Sequence, residues 1–258
     1  MNPHWRERYE KAIDITRRAG QVAMRYFDTP LTVETKGDDS PVTIADRETE
    51  QTLRGSLAEA FPGDGFLGEE YGDTPGTSGY RWILDPIDGT RSFIRGIPTW
   101  AVLVGLEYQG ELIAGVVDAA PLGHTYHAVR GGGAYRNDRR ICVSDEADLK
   151  KGLLFYTGVQ WFQQAGAEQT FFELVRRTDR QRGYGDWHGF MLVAQGSGEV
   201  MLDYGCHAWD VAGIQPIVEE AGGRFSNWDG GVDINRPDYL VSNGKLHDAV
   251  LAILAGKE

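Results

Sequence analysis

The chain has 258 residues, 41% apolar and 25% charged, with a formal net charge of -12. This is the composition of one globular domain or two close subdomains, and the acidic excess argues against a nucleic-acid surface. In chain order, the opening MNPHWRERYEKAID lacks an apolar signal core, and no run of about 18 apolar residues follows. A cytoplasmic protein with no membrane partner is therefore expected. Residues 4–27 predict an amphipathic helix with Trp5, Tyr9, Ala12, Ile13, Ala19, Val22, Ala23 and Tyr26 near one face. LTVETK (31–36) alternates like a strand. Thr43 caps a predicted helix from Ile44 to about Ala60, with Asp46 at its third position. After a PGDG turn (62–65), FLGEE (66–70) and RWILD (81–85) read as strands that end in acids.

Residues 101–119 predict a hairpin turning at Gln109-Gly110, followed by strands at 125–129, 134–138 and 152–158. A helix is expected over 167–178. RRTDRQR (176–182) reads as a solvated helix end or as carrying an arginine that faces an anion. A short helix (187–198), a strand (199–203) and a helix (208–221) come next. Gly222-Gly223 closes that last helix, and Pro216 should kink it or displace its start. A strand (239–243) and a terminal helix (246–255) complete the chain. Long helices alternating with runs of antiparallel-looking strands predict layered α and β rather than a doubly wound sheet. The best break lies near 142–152, giving approximate subdomains 1–145 and 146–258 of a single domain. Cys142 and Cys206 lack metal spacing and read as buried or idle thiols.

Acids stand at four places where an apolar segment ends or a helix begins: Glu69-Glu70, Asp85 with Asp88, Asp203, and Asp210. Each alone has an ordinary explanation as a helix-start or turn residue. Strand ends converge on one edge of a sheet, however, and carboxylates gathered there repel unless a cation neutralises them. Mg²⁺ takes such oxygens and keeps positions open for water and phosphate. In DPIDGT, Pro86 is expected to fix a turn that points Asp85, the Ile87 carbonyl and Asp88 toward one volume. Gly89 permits close backbone approach, and a helix starting there would turn its amides toward a phosphate. The six histidines are isolated and read as surface or core residues, which disfavours zinc. No G-x-x-x-x-G-K-[ST] or G-x-S-x-G motif occurs, and GGGAYRND (131–138) reads as a β-turn. Metal-activated water attacking a phosphoester is the favoured chemistry, with Glu69 and Thr90 orienting and deprotonating the water.

The set KGDDSPVTIAD (36–46), FLGEE (66–70), WILDPIDGTRSF (82–93) and WDVAGIQPIVEEAGG (209–223) resembles the inositol monophosphatase superfamily along nearly the whole chain. The resemblance implies a layered αβαβα fold with mixed and antiparallel sheets. It also implies two or three Mg²⁺ ions, lithium sensitivity, a small phosphorylated substrate and a homodimer. Carried over by motif, one ion is held by Glu69, Asp85 and the Ile87 carbonyl, and another by Asp85, Asp88 and Asp210. Thr90 and Glu69 prepare the water, with Asp46 in support. Amides around Gly89 and Thr90 hold the phosphate, and Lys36 lies on a loop beside the metals.

Three stretches resemble the histidinol-phosphate phosphatases of that superfamily more than its inositol enzymes: Arg91-Ser92-Phe93, RGYGDWHGFMLVAQGSGEVMLD (182–203) and GIPTWAVLVGLE (96–107). This places Arg182 at the substrate, together with Asp88, Gly89, Thr90 and Asp210. Asp186 and Asp203 suit a cationic leaving group, although Asp186 also reads as a helix N-cap. Asp203 stands where many inositol enzymes carry glutamate, and His207-Ala208 mixes features of both branches. An inositol monophosphatase or a broad sugar-phosphate phosphatase is the alternative. A non-catalytic phosphate-binding or scaffold homologue would have lost a metal acid, and none is lost here.

Overall fold

The computed structural model describes residues 2–37 and 41–256; Asp38, Asp39 and Ser40 of the KGDDSPVTIAD motif lie outside the described residues. Helix α1 (Pro3–Met24) buries Tyr9, Ala12, Ile15, Thr16, Ala19, Gly20 and Ala23. Thr16 joins this face because its hydroxyl donates to the Ala12 carbonyl at 2.7 Å, which hides its polarity. Strands β1 (Glu34–Thr35) and β2 (Pro41–Val42) form only a two-residue pair, shorter than the 31–36 strand expected, and Leu31 packs into the core instead. Helix α2 (Ile44–Ala60) starts on a capping box between Thr43 and Asp46, as the sequence predicts.

An eight-stranded sheet follows: β3 (Gly65–Gly68), β4 (Gly72–Thr74), β5 (Tyr80–Asp88), β6 (Ala101–Tyr108), β7 (Glu111–Ala119), β8 (His124–Val129), β9 (Gly133–Arg136) and β10 (Arg139–Ile141). Its order is β10-β9-β8-β7-β6-β5-β3-β4. Only the β3–β5 pair is parallel. One helical turn, α3 (Thr90–Phe93), follows β5. The β6–β7 hairpin turns at Gln109-Gly110, whose φ values of 52° and 86° suit a tight hairpin. The strand expected over 134–138 ends at Arg136, because Asn137 takes φ 53° and turns the chain into β10.

The second sheet holds β11 (Leu153–Tyr156), β12 (Arg180–Arg182), β13 (Val200–Tyr204), β14 (Arg224–Ser226) and β15 (Asp238–Ser242) in the order β12-β11-β13-β15-β14. It is mixed, with β12, β11 and β13 parallel and β15 antiparallel to its neighbours. The helices of this half are α4 (Val159–Gln164), α5 (Glu168–Arg177), α6 (Asp186–Ala194), α7 (Ala208–Ala212), α8 (Ile214–Glu220) and α9 (His247–Leu254). The helix expected over 208–221 breaks at Gly213, so Pro216 falls in the first turn of α8, where its missing N–H costs no bond.

The layers are α1 and α2, the large sheet, α6 to α8, the small sheet, then α4, α5 and α9. This is the αβαβα sandwich expected. The middle core joins Leu103 and Val117 of the large sheet to Trp187, Phe190, Ile214 and Ile217, and to Phe155 and Met201 of the small one. Burying each such side chain stabilises the fold by about 1.5–3 kcal/mol before entropy is counted. Beside that core, Ile83 of β5 packs on Ala212 of α7, which helps place the acids at the end of β5.

Candidate active site

Two backbone devices bring the acids together. Strands β3 and β5 run parallel, so their C-terminal ends share an edge, and Glu69 N–H extends the pairing to the Leu84 carbonyl at 3.2 Å. Glu69 thereby stands beside Asp85. The second device lies within β5, where Asp85 pairs with Leu103 but Asp88 pairs with Ala101. One extra residue is inserted on β5, a β-bulge. In a regular strand, residues three apart face opposite sides; the bulge returns both aspartates to one side. The turn expected at Pro86 is thus a bulge within a strand that continues to Asp88.

Oxygens of Asp85, Asp88 and Asp210 lie within 4.8 Å of one another. Asp85 is 1% and Asp88 8% exposed. Burial, and then the charges of Glu69, Asp88 and Asp210, hold the Asp85 carboxyl well above the usual range. Asp88 is raised likewise, by burial and then by Asp186 and Asp210. Burial pushes Glu69 up to about 7, although Lys36 pulls the other way. Lys36 Nζ donates to Glu69 at 2.8 Å and also to Glu70. A cluster of hard carboxylate oxygens that disfavours its own ionisation fits a divalent cation such as Mg²⁺.

Neighbouring elements aim these acids. The Trp187 amide at the start of α6 donates to Asp88 Oδ2 at 2.7 Å, 99 residues away in sequence. Asp88, rather than Asp186, therefore satisfies that helix end, and the N-cap reading of Asp186 gives way. Asp186 is itself the first residue of α6 and takes φ 54°. Asp210 Oδ2 accepts from His207 N–H at 2.6 Å, and the His207 ring stands 3.7 Å from the same oxygen. His207 is exposed, as the surface reading expects, with its ring turned toward Asp210. Thr90 Oγ1 donates to the Ile87 carbonyl at 2.8 Å and lies 3.4 Å from Asp46 Oδ1. Gly89 has φ 86°, and a Cβ there would meet the Thr99 carbonyl at 2.9 Å.

Asp203 is buried beside this group, and burial pushes its carboxyl up to about 7. Asp186 is pushed up to about 6 by burial and then by the charge of Asp210. Arg182 stands apart: it is exposed on edge strand β12 with its guanidinium on the Gln181 carbonyl at 2.8 Å. Of RRTDRQR, Arg176 and Arg177 end α5 on Glu173, as a solvated helix end would. Both cysteines are free; Cys142 is exposed, and burial and nearby acids keep the Cys206 thiol protonated.

The sandwich and its acid cluster define a layered α/β phosphatase. The sequence model of the inositol monophosphatase family matches residues 4–257, and the chain belongs to that family. It is 39% identical over 249 residues to a histidinol-phosphatase of Chlorobaculum parvum, covering 96% of each chain. It is 35% identical over 242 residues to an inositol-1-monophosphatase of Mesorhizobium japonicum, covering 91% of each. Among solved structures, the extragenic suppressor protein SuhB of Bartonella henselae superposes with a TM-score of 0.89 at 29% identity, covering 95% of this chain and 97% of that one.

Proposed function

We propose that this phosphatase is Mg²⁺-dependent and hydrolyses L-histidinol phosphate to L-histidinol and phosphate. The carrying observation is the pair Asp186 and Asp203. Asp203 is buried and Asp186 half-buried, both near Asp210 with raised carboxyl pKa values, and no ion pair reaches either among the described residues. They are acids beyond those assigned to metal. A neutral polyol would leave that charge unbalanced; an amine and an imidazole on the leaving group would balance it. The name of the Chlorobaculum relative supports the same substrate.

In this reading Glu69, Asp85 and the Ile87 carbonyl hold one ion, while Asp85, Asp88 and Asp210 hold another. When bound, Mg²⁺ lowers the pKa of water and neutralises phosphate oxygens. The Thr90 hydroxyl proton is committed to Ile87 or Asp46, so its lone pairs face the pocket and accept from the attacking water. Glu69 takes the proton that the water releases, and Lys36 steadies Glu69 from the loop. Amides at Gly89 and Thr90 cradle the phosphate. The proposal includes lithium inhibition, a cytoplasmic homodimer, and two subdomains, 1–145 and 146–258. The change from the large sheet, which ends at Ile141, to the small one, which starts at Leu153, supports that division. No helix among the described residues is long and apolar enough to cross a membrane.

Phosphate release from histidinol phosphate, inositol 1-phosphate, fructose 1,6-bisphosphate and adenosine 3′,5′-bisphosphate, with Mg²⁺ and with added lithium, tests the reading. The highest kcat/KM is expected for histidinol phosphate, and a higher value for another substrate would overturn the choice. Asp186→Asn and Asp203→Asn should raise KM for histidinol phosphate about tenfold, or about 1.4 kcal/mol, and leave inositol 1-phosphate less affected. Equal losses on both substrates would remove the cation argument. Asp203 can also accept polyol hydroxyls, which is what favours inositol phosphate as the second reading.

A further inference from the structure

We infer that Glu50 is a positioning residue for the active site, setting the place of Glu69 through the backbone that carries it. The inference rests on the reading of Glu69 as a metal ligand. Glu50 is fully buried on α2, and nothing above gives it a role. Its Oε2 accepts from Glu70 N–H at 2.7 Å, and its Oε1 accepts from Tyr71 N–H at 3.3 Å. Arg54, one turn further along, donates to Oε1 at 2.7 Å and also reaches the Gly72 carbonyl and Thr74 Oγ1. Thus one carboxylate ties down the two peptides that follow Glu69, and its own partner reaches Gly72 and Thr74 beyond them. The fit is close: a Cβ at Gly68 would overlap the Glu50 carboxylate.

The placement of Glu50 on α2 explains why this matters for the site. Asp46 and Glu50 are four residues apart on one buried helix face, separated by about 6 Å along the axis. Asp46 lies beside the Thr90 hydroxyl, and Glu50 holds the start of the Glu69–Thr74 turn. A single rigid helix therefore registers the two walls of the site, the one carrying Thr90 and the one carrying Glu69. Between the end of β3 at Gly68 and the return of the chain to it at Gly72 in β4, Glu50 holds the Glu70 and Tyr71 amides. Loss of supporting hydrogen bonds around a metal ligand typically costs 10–100-fold in metal affinity.

Mn²⁺ binding to the full chain, followed by electron paramagnetic resonance or calorimetry, tests the inference without relying on turnover. Glu50→Gln keeps the volume but sets its amide NH2, a donor, against one of the N–H groups that the two carboxylate oxygens accept, and it should weaken Mn²⁺ binding about tenfold or more. In a Glu69→Gln background the same change should add less than about twofold, because the ligand it positions is gone; such non-additivity marks coupled residues. Arg8→Gln, which breaks the partly buried Arg8–Asp64 pair outside this network, is the structural control: it should lower the unfolding midpoint yet keep Mn²⁺ affinity within about threefold. Gly68→Ala, which displaces the Glu50 carboxylate by overlap, should reproduce the binding defect if Glu50→Gln fails to fold. Wild-type affinity in Glu50→Gln, or an undiminished effect in the Glu69→Gln background, overturns the positioning role alone. Equal Mn²⁺ affinity in wild type and Glu69→Gln overturns both this role and the ligand assignment on which it rests.

Discussion

At the scale of single residues, the site depends on positions where only one side chain fits. Gly89 joins the end of β5 to α3 at φ 86°, with the Thr99 carbonyl 2.9 Å from where a Cβ would sit. A left-handed backbone costs a non-glycine residue about 1–2 kcal/mol, and the contact with Thr99 adds to it. Gly89→Ala should therefore lower the unfolding free energy by about 2 kcal/mol in urea titration. It should also reduce kcat/KM roughly 100-fold, since Thr90 and Asp88 flank it and small misplacements of reacting groups are costly. Unchanged turnover in a destabilised variant would mean that the Gly89–Thr90 peptide does not touch the phosphate. Asp186 adopts a left-handed backbone with no glycine to ease it, at φ 54°. Strain of that kind persists where the surroundings fix it, here beside Asp88.

At the scale of elements, what the sequence reveals depends on whether the causes are local. The α2 capping box is written in Thr43 and Asp46, three residues apart, and the structure begins the helix where they place it. The β6–β7 hairpin is equally local. Strands β10, β12 and β14 escape because each has only three residues and exists through its partner rather than its own pattern. The acid cluster is legible as acids at strand ends. Its aim is not, because the bulge that turns Asp85 and Asp88 to one side is visible only in the register with β6. Glu50 did leave a signal, four residues after Asp46 on an already predicted helix, but its partner peptides lie 20 and 21 residues away. His247 shows the same dependence on partners. It is buried at the start of α9, and its two ring nitrogens meet Ser226 of β14 and Ser242 of β15, each at 2.9 Å. Ser226 Oγ donates to the Asn227 carbonyl, so it accepts from Nε2–H, and Ser242 donates to Nδ1. His247→Leu leaves two buried hydroxyls short of a partner and should cost about 2–4 kcal/mol by urea unfolding. A loss under 0.5 kcal/mol would show that the trio does not tie α9 to the sheet.

At the scale of the whole molecule, the site makes the metal-free protein sensitive to pH in an unusual direction. Glu69 and Asp203 sit at about 7, Asp186 at about 6, and Asp85 and Asp88 well above their ordinary value, in each case chiefly through burial. Asp118, buried away from the site against Thr125, is also pushed up to about 6. A carboxyl whose folded pKa is raised binds more protons in the folded than in the unfolded chain. Its contribution is fully present below the unfolded pKa near 4 and is lost as pH rises through the folded value. His247 runs the other way: burial lowers it to about 4, so stability is lost as pH falls from 6.5 toward 4. His124, His127 and His188 are lowered by burial as well, and Asp46 and Glu70 are raised by it, so between pH 7.5 and 5.5 four histidines oppose eight carboxyls; only the upper part of the His247 window is crossed, and the carboxyls prevail. In EDTA, Tm should therefore be higher at pH 5.5 than at pH 7.5. A cation that binds the ionised cluster binds only the folded state and stabilises it by mass action. Added Mg²⁺ should then raise Tm more at pH 7.5, where the acids are ionised, than at pH 5.5, where protons compete for the same oxygens. Differential scanning calorimetry at the two pH values, with EDTA and with Mg²⁺, measures all four midpoints. A metal-free protein that is more stable at pH 7.5, or an Mg²⁺ shift that is equal at both pH values, would show that the clustered acids do not carry the charge this account gives them. Asp88→Asn and Asp210→Asn each remove one of the repelling carboxylates. Both should narrow the pH difference in EDTA and abolish most of the Mg²⁺ shift, as expected of a cluster that is a burden to the fold until a cation neutralises it.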